Sequence, residues 1–330
     1  MGWIKAKISA SDTGLYRDIE LNFKCRQRTV FHSFNWLRAF HPTVDFWYYE
    51  DTQGNVQSIF LFIETIKNYT KGLHIPPFTQ YFTPLMDDDL SEKNKQEIMT
   101  LLLKELNNEK RLQVLDLKFF RGHHNILSFH WQGFQSALTI TYVVSGDYQK
   151  YFSKLNKNKV REIKALYNQI KEGKLEIVSS VADEEVMKLY KMTSERADFA
   201  YKENVLKNLL DNKNHFNHVL IGIRSKEKGL ISYGLFPYDN HSVYNIINAS
   251  MRIQDDPVLK TANLLMLNEA IKFSLDSGRV FDFEGSMLPG VSDFYRLMGG
   301  TQMPVYRLTK SKSIKYSIMR ALAQIKNDKK

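Results

Sequence analysis

Two neighbouring stretches decide how the chain folds: Phe281-Asp-Phe-Glu-Gly-Ser286 and Gly290-Val-Ser-Asp-Phe-Tyr-Arg-Leu-Met-Gly-Gly300. In the first stretch, apolar and acidic residues alternate, which predicts a strand over 279–284 with Asp282 and Glu284 on one side. The second stretch predicts a helix over 291–298. Two acids on the same side of a buried strand are costly without partners. The strand therefore marks a candidate functional site.

The rest of the second half predicts a regular order of elements around these stretches. Helices are predicted over 150–171, 183–196 and 258–277, and strands over 218–224, 230–236, 243–248 and 304–308. Gly278 is the predicted end of the long helix. The resulting order is a basic helix, a three-stranded meander, a long helix, a strand, a helix and a last strand.

The first half repeats this order more faintly. A hairpin is predicted over 46–50 and 56–64, a helix over 91–106 and a strand over 112–119. Both Val114–Lys118 and Val280–Glu284 have an aspartate at their centre. We therefore predict an α/β (α+β) fold of two tandem units, each a mixed, mostly antiparallel sheet flanked by helices. The predicted segments are 1–145, 146–310 with the active site, and a basic amphipathic tail over 311–330.

The composition is that of a folded globular protein and excludes several other classes. The chain has 330 residues, of which 43% are hydrophobic and 25% charged, so it can bury two sizeable cores and is not a disordered chain. Cys25 is the single cysteine, which excludes an internal disulfide and a cysteine-based zinc site. The histidines have no metal-ligand spacing, and we expect no metal. The sequence has no run of apolar residues long enough to cross a bilayer and no secretory h-region, so a cytoplasmic location is expected.

The excess of positive charge is concentrated in two stretches. The formal net charge is +10, yet residues 150–174 contain eight basic and two acidic residues, and residues 301–330 contain eight basic and one acidic. Such stretches indicate an anionic partner, whether cofactor phosphates, nucleic acid or a membrane surface, or else solvated helix faces. The tail over 311–323 is amphipathic as well as basic. It is predicted either to contact a membrane peripherally or to dock on its own domain.

The motifs resemble those of FemAB-type acyltransferases, which belong to the GNAT superfamily and consist of two tandem GNAT-like units. The two stretches quoted first resemble the end of such a protein. Further likenesses occur in the same order along the chain, at 29–36, 76–85, 129–134, 141–143 and 157–165. The resemblance implies transfer of an acyl or aminoacyl group from an activated thioester or ester to an amine. It also assigns Trp36 and Tyr81 to substrate binding.

Acyl transfer to an amine needs a free amine, a polarised carbonyl and a proton for the leaving group. Tyr295 stands where many GNAT enzymes have a tyrosine that protonates the departing thiolate, although it can also be an ordinary packing residue. Glu284 and Asp282 are predicted to bind and deprotonate an ammonium substrate; otherwise they face solvent or pair with an arginine. Gly285 and Ser286 are predicted to leave room for a substrate beside the backbone.

The donor is less clearly indicated. GNAT enzymes hold the coenzyme A pyrophosphate at a glycine-rich turn before the long helix, but the corresponding stretch 252–262 has no glycine and contains two acids. This departure counts against acetyl-CoA. The expected donor is an acyl-CoA or another activated acyl donor, and a bulkier one, such as aminoacyl-tRNA or an acyl carrier protein, is an alternative. Arg252 and Lys260 are candidate phosphate ligands, and Lys157 and Arg161 are candidate tRNA ligands.

Three functions are consistent with these observations. The first is an N-acyltransferase that acts on an amine of a cell-envelope, polysaccharide or lipid precursor. This function is favoured because the sequence between residues 183 and 218 is too short to contain the long helical arm of the peptidoglycan bridge enzymes. The second is an aminoacyl-tRNA-dependent transferase. The third is a non-catalytic GNAT-like module that binds an anionic partner.

Overall fold

The computed structural model describes residues 2–67, 69–123, 125–197, 200–251, 256–285 and 287–319, with the backbone alone for Pro257 and Lys260. The chain forms two compact units. The first unit comprises the residues up to Leu138 and those from Val305 onward, and the second comprises Thr139–Pro304. The chain passes from one unit to the other within a strand on both occasions.

The first unit begins with the following elements: β1 (Gly2–Ser9), α1 (Gly14–Asn22), α2 (Phe34–Leu37), β2 (Thr43–Glu50), β3 (Val56–Phe62), β4 (Thr65–Lys67), β5 (Thr70–Leu73), β6 (Leu85–Met86), α3 (Glu92–Asn108), β7 (Val114–Lys118), α4 (Leu127–Trp131) and the start of β8 (Gln135–Val144). The second unit continues with α5 (Tyr148–Lys154), α6 (Lys157–Lys171), β9 (Leu175–Val178), α7 (Asp183–Ala197), α8 (Glu203–Asp211), β10 (His218–Ser225), β11 (Gly229–Pro237), β12 (Ser242–Tyr244), β13 (Ile247–Ser250), α9 (Pro257–Asp276), β14 (Val280–Asp282), α10 (Pro289–Leu297) and the start of β15 (Thr301–Ser311). Short 3-10 helices lie at Val30–His32 and Lys213–His215, and residues 314–319 are helical.

In the first unit, strands β1, β2, β3 and β6 form an antiparallel sheet in that order. Strand β7 lies between β5, with which it is parallel, and the end of β15, with which it is antiparallel. Helix α3 begins where the Ser91 hydroxyl accepts the N–H of Asn94 at 3.2 Å, a typical N-cap. Its buried face carries Ile98, Leu102 and Leu106, whose four-residue spacing is that of an amphipathic helix.

The second unit is a sheet covered by helices on both faces. Strands β13, β11, β10 and β9 form an antiparallel sheet in that order. Gly234 of β11 lies against Met266 of α9. The adjacent Tyr233 is close to Asp183 on α7, because burial and then the charge of Asp183 raise the pKa of this tyrosine. Because successive strand residues face opposite sides, α9 and α7 cover opposite faces. The middle of helix α9 is buried all round, with Leu264, Leu265, Met266 and Leu267 each at most 2% exposed.

Most of the predicted elements are confirmed, and two differences matter. The predicted helix over 150–171 is two helices, because the Asn156 side chain caps α6 by accepting the N–H of Asn158. The predicted strand over 243–248 is divided into β12 and β13, which pair with different neighbours. The mixed α/β architecture with mostly antiparallel sheets is as predicted.

The unit boundaries lie at other positions than the predicted 145 and 310. From Val305 onward, the chain belongs to the first unit, because the end of β15 pairs with β7 from Arg307 opposite Lys118 to Ser311 opposite Val114. The last strand and the helical residues after it therefore complete the first unit. Within the described ranges, no helix combines the length and apolar character needed to cross a membrane.

A buried ion pair holds the end of β15 to β7. Asp116, only 1% exposed, accepts hydrogen bonds from Nε and Nη2 of Arg307 at 2.8 and 2.6 Å. It also accepts one from the Thr309 hydroxyl at 3.2 Å. The hydrogen bonds to Asp116 raise the pKa of Arg307. This carboxylate is one of the two aspartates that the sequence places at the centres of related strands.

We expect Asp116→Ala to destabilise the first unit by about 1–3 kcal/mol, because the substitution leaves the partly buried Arg307 guanidinium and the Thr309 hydroxyl without their partner. Urea unfolding monitored by tryptophan fluorescence measures the change. Asp293→Ala is the matched control, since that carboxylate pairs with Arg296 on an exposed helix face. Equal effects of the two substitutions would contradict the importance of the buried pair.

Candidate functional site

The candidate site lies where two parallel strands of the second unit separate. Strand β12 pairs with β14, and Tyr244 is opposite Asp282 at the end of both strands. After two intervening residues, the chain forms β13, which pairs with β11 and not with β14. The carboxyl ends of β12 and β14 therefore face a place where the sheet divides, which is where α/β proteins commonly bind ligands.

Asp282 anchors the turn that follows β14. Its side chain is fully buried, and Oδ1 accepts hydrogen bonds from the Thr141 hydroxyl at 2.5 Å and from the backbone N–H of Glu284 at 2.9 Å. The backbone carbonyl of Asp282 accepts the N–H of Asn245 at 3.0 Å. The predicted catalytic residue Asp282 thus contacts the protein through both its side chain and its backbone. We assign it a positioning role.

Glu284 lies outside the strand. Because β14 ends at Asp282, the predicted alternation of two acids along one strand is wrong. Glu284 has φ of 65°, a left-handed conformation that a non-glycine residue adopts only when its surroundings impose it. Here the hydrogen bond from its N–H to Asp282 imposes it. The negative charge of Glu284 acts on two nearby phenols, those of Tyr295 and Tyr190.

Tyr295 projects from α10 towards this carboxylate. Its ring stacks on Phe283, with centroids 4.4 Å apart and planes inclined by 26°. Burial, followed by the charge of Glu284, raises the pKa of Tyr295 above its ordinary value, and a hydrogen bond with the Asn245 side chain partly opposes this rise. The phenol therefore keeps its proton at neutral pH. Glu284 and Tyr295 are brought together, as the proposed chemistry requires.

Asn245 is a site residue that the sequence analysis missed. It follows β12 directly and is 6% exposed. Its side chain lies close enough to the Tyr295 phenol to lower the pKa of that phenol. Within the described part of the chain, Oδ1 of Asn245 has no hydrogen-bond partner. This oxygen is therefore an unused hydrogen-bond acceptor.

Tyr190 on α7 is the second residue that the sequence analysis missed. Burial, followed by the charge of Glu284, raises the pKa of Tyr190 to about 12. Its ring lies 6.1 Å from that of Tyr201, measured between centroids. A single tyrosine in an amphipathic helix does not indicate a functional role by its sequence alone, so Tyr190 could not have been predicted. Asn245 could have been noticed, because it is polar and lies within a predicted strand. A polar residue in an otherwise apolar predicted strand marks a place where the strand breaks.

Gly285 has a different role from the one predicted. Its φ is 71°, and a Cβ there would overlap the Ile140 carbonyl oxygen and lie 2.7 Å from Cα of Thr141. The space beside Gly285 is therefore filled by the backbone of β8, not left for a substrate. Ser286, predicted to bind substrate with it, lies outside the described residues.

The structure also overturns the assignment of Trp36 and Tyr81 to substrate binding. Both side chains are fully buried in the first unit. Trp36 donates its indole N–H to the Thr79 hydroxyl at 2.9 Å, and the ring of Tyr81 packs 4.9 Å from that of Phe120. Both aromatic side chains are therefore part of the core of the first unit.

The predicted donor ligands divide into two groups. Lys157 and Arg161 are exposed and lie four residues apart on α6, on the same face as the exposed Lys164. Arg252 and the side chain of Lys260 lie outside the described residues. The basic face of α6 is therefore the part of the predicted donor site that the structure describes.

The N-terminus of α9 already carries an acidic cap. Asp256 accepts hydrogen bonds through Oδ1 from the N–H groups of Val258 and Leu259, at 2.9 and 3.0 Å, and its other oxygen pairs with Lys228. These amides are the groups that would bind a phosphate at this end of the helix. A cavity of about 200 Å³ adjoins the cap and is lined by Lys174, Lys226 and Lys228 among others.

The histidines show no metal-binding arrangement. His32 is buried, with Nδ1 2.8 Å from the Thr29 hydroxyl, and burial lowers its pKa to about 3, so it is a neutral packing residue. Among the residues that the structure describes, no group of three or more His, Cys, Asp or Glu side chains is placed to hold a metal ion.

Chemically, the site combines three complementary groups. The carboxylate of Glu284 can accept a proton, the phenol of Tyr295 can donate one, and Oδ1 of Asn245 can accept an N–H. Glu284 lies on the turn held by Asp282 after β14, Asn245 directly follows β12, and Tyr295 lies on α10. This set is suited to a reaction in which an amine loses a proton and a leaving group gains one.

Comparison with known proteins identifies the class of fold: it is FemAB-like, of the tandem GNAT type. FemX superposes with a TM-score of 0.68 at 11% sequence identity, over 96% of this chain and 99% of that chain. A tandem GNAT protein from the clavulanic acid biosynthesis pathway superposes with a TM-score of 0.57 at 10% identity, over 94% and 99% of the two chains.

A third similar structure is the C-terminal domain of an Agrobacterium fabrum protein named as a lysylphosphatidylglycerol synthetase. It has a TM-score of 0.55 at 10% identity, over 93% of this chain and 96% of that one. No protein-family model matches the sequence, and neither does any curated protein. The likeness is therefore one of fold, and it confirms the fold predicted from the sequence motifs.

We expect Gly285→Ala to destabilise the second unit by about 3 kcal/mol or more, because the methyl group overlaps the backbone of β8 and the left-handed φ disfavours alanine. Gly290→Ala is the control. That glycine lies at the start of α10 with no atom within 4 Å of an added Cβ, so we expect no loss of stability. Thermal unfolding of the two variants measures both effects. A Gly285→Ala protein as stable as the control would show that β8 does not constrain this turn.

Proposed function

We propose that the protein is an N-acyltransferase that moves an acyl group from an activated donor to an amine of a cell-envelope, polysaccharide or lipid precursor. The observation that carries this proposal is the convergence of Glu284, Tyr295 and Asn245 at the end of the β12–β14 pair. The FemAB-like fold supports the class of reaction, and a lysylphosphatidylglycerol synthetase among the similar structures supports an envelope or lipid acceptor.

The proposed reaction begins with the acceptor amine. Glu284 takes a proton from the ammonium group, and Oδ1 of Asn245 accepts a remaining N–H and orients the nitrogen. The free amine attacks the acyl carbonyl carbon, so a C–N bond forms. As the bond from carbon to the leaving sulfur or oxygen breaks, Tyr295 gives its proton to that atom.

The protons of the reaction balance. The first proton, from the ammonium group, passes from Glu284 to solvent, and the carboxylate then takes a second proton from the nitrogen as the C–N bond forms. Return of that second proton from the carboxylic acid to the phenolate restores both groups. The Asn245 N–H donates to the Tyr295 oxygen and stabilises the phenolate while it lasts. Overall, an amine and an activated acyl group give an amide and the protonated leaving group.

The donor is proposed to be bound elsewhere than at the α9 N-terminus. A coenzyme A pyrophosphate at that point would meet the carboxylate of Asp256, and the amides of Val258 and Leu259 already donate to it. These residues do not fit that group, and no step of the proposed reaction depends on it. An acyl carrier protein or an aminoacyl-tRNA is the kind of donor that the proposal favours.

We expect Glu284→Gln and Tyr295→Phe each to slow transfer by about 100-fold or more, since each removes one proton-transfer group. The assay incubates the protein with a panel of acyl-CoA, acyl carrier and aminoacyl-tRNA donors and follows donor consumption by mass spectrometry. Both substitutions conserve shape and leave Asp282 to hold the turn, so the variants should unfold like the wild type.

The second unit offers a matched control. Tyr167 donates a hydrogen bond to Glu269, so α6 and α9 carry another tyrosine–glutamate pair in the same unit. Tyr167→Phe and Glu269→Gln make the same chemical changes away from the candidate site, and we expect them to leave transfer near the wild-type rate. Wild-type rates for Glu284→Gln and Tyr295→Phe would remove both proposed roles.

A second candidate function is an aminoacyl-tRNA-dependent transferase, and the exposed basic face of α6 is the observation that favours it. Lys157, Arg161 and Lys164 lie along one side of this helix, where their charges can contact a phosphate backbone. In contrast, Lys159 on the same helix pairs with Glu162 at 2.7 Å.

If tRNA is the donor, its affinity should fall steeply with salt, and Lys157→Gln with Arg161→Gln should reduce the slope of log K against log [salt] by about one to two. Fluorescence anisotropy of a labelled aminoacyl-tRNA over a range of NaCl concentrations measures the slope. Lys207→Gln is the control, because that exposed lysine pairs with Asp211 on α8. An unchanged slope in the double variant would exclude this face as the tRNA site.

A further inference from the structure

The first unit exposes large apolar side chains on two adjacent segments. Ile66 and Tyr69, at the turn between β4 and β5, are 74% and 87% exposed. Ile314 and Ile318, on the helical residues 314–319, are 78% and 56% exposed. We refer to these four residues as the apolar edge. Apolar side chains of this size that are grouped at a surface usually mark an interaction site.

One contact brings the two segments together. The ammonium group of Lys315 lies 4.8 Å from the centre of the Tyr69 ring. The segment between β4 and β5 is attached to the first unit because β5 pairs with β7. The apolar edge is therefore one surface formed by residues more than 240 positions apart in sequence.

The helical residues present their isoleucines away from the domain. Tyr316 is 5% exposed, and its ring packs 5.5 Å from that of His74, so this residue attaches the helix to the first unit. Ile314 and Ile318 are four residues apart and share a face, and Tyr316, midway between them, points to the opposite side. Docking of the tail on its own domain thus uses Tyr316, not the isoleucines.

Positive charge surrounds the apolar edge. Lys67 and Lys315 are exposed, and the ammonium group of Lys315 contacts the Tyr69 ring, whereas Lys71 on β5 is paired with Glu64. The sequence that follows, 320–330, contains four basic residues and one acidic residue. Large apolar side chains among lysines are the combination that binds the interface of an anionic bilayer, with the apolar groups inserted and the ammonium groups at the phosphates.

We propose that the apolar edge docks the protein on the surface of an anionic lipid bilayer. The partner is a lipid surface and not a nucleic acid, because a phosphate backbone offers no apolar environment for four exposed aliphatic and aromatic side chains at once. The proposal does not depend on acyl transfer. A surface-bound enzyme would nevertheless meet a lipid-linked acceptor directly.

The experiment measures flotation of the full chain with vesicles of phosphatidylcholine alone or with about one part in three of phosphatidylglycerol. The wild type should float with the anionic vesicles and less in high salt. The triple variant Ile66→Ser, Ile314→Ser, Ile318→Ser should lower the bound fraction by about tenfold or more. Lys67→Gln with Lys315→Gln should weaken binding to anionic vesicles as well.

Leu21→Ser is the matched control. This leucine is 84% exposed on α1, beside the acidic Asp18 and Glu20, and we expect its loss to leave flotation unchanged. All the substituted side chains are exposed, so folding should be preserved and is checked by thermal unfolding. The proposal is overturned if the wild type binds neither vesicle, if the triple variant floats like the wild type, or if the edge substitutions abolish binding of an RNA and not of vesicles.

Discussion

The hydrogen bonds that Asp282 accepts are the interaction on which the candidate site depends. A fully buried carboxylate must have its lone pairs satisfied, and here the Thr141 hydroxyl and the Glu284 N–H do so. The second of these bonds holds Glu284 in a left-handed conformation, and the closely packed Gly285 continues the turn. The carboxylate of Glu284 is consequently directed towards Tyr295 and Tyr190. Removing the buried acid would therefore change the site without touching any group that reacts.

The two units use related buried aspartates for different ends. In the first unit, Asp116 is paired with Arg307, which neutralises its charge and joins two strands. In the second unit, Asp282 accepts hydrogen bonds from the Thr141 hydroxyl and the backbone N–H of Glu284 and so holds the turn after β14. The charge of Asp282 adds to that of Glu284 in raising the pKa of Tyr295. Asp116 thus joins two strands of the first unit, whereas Asp282 holds the turn that carries Glu284 in the second.

Much of the fold could be predicted because its signals are local. The buried helix α9 begins at a proline after an acidic cap and ends before Gly278, and these features are readable in one sequence. The order of strands and helices was readable for the same reason. Tyr295 and Glu284 were predicted as site residues from their motif, and the structure places them in the same unit. Asn245 and Tyr190 were not, because they join the site only when β12 leaves the sheet and α7 covers it. Trp36 and Tyr81 were misassigned because a ring in a core and a ring in a cleft look alike in sequence.

By itself, the sequence determined the two-unit α/β architecture, the long helices and their caps, the basic stretches and the pair of residues most suited to proton transfer. These features depend on periodicity, capping and charge, which are properties of neighbouring residues. Only the tertiary structure decided that the strand after Tyr244 divides, that the last strand completes the first unit, and that the isoleucines near the end of the chain face outward beside Tyr69. These features depend on contacts between residues far apart in the chain, and their pairing is set by packing and buried hydrogen bonds that no local pattern encodes.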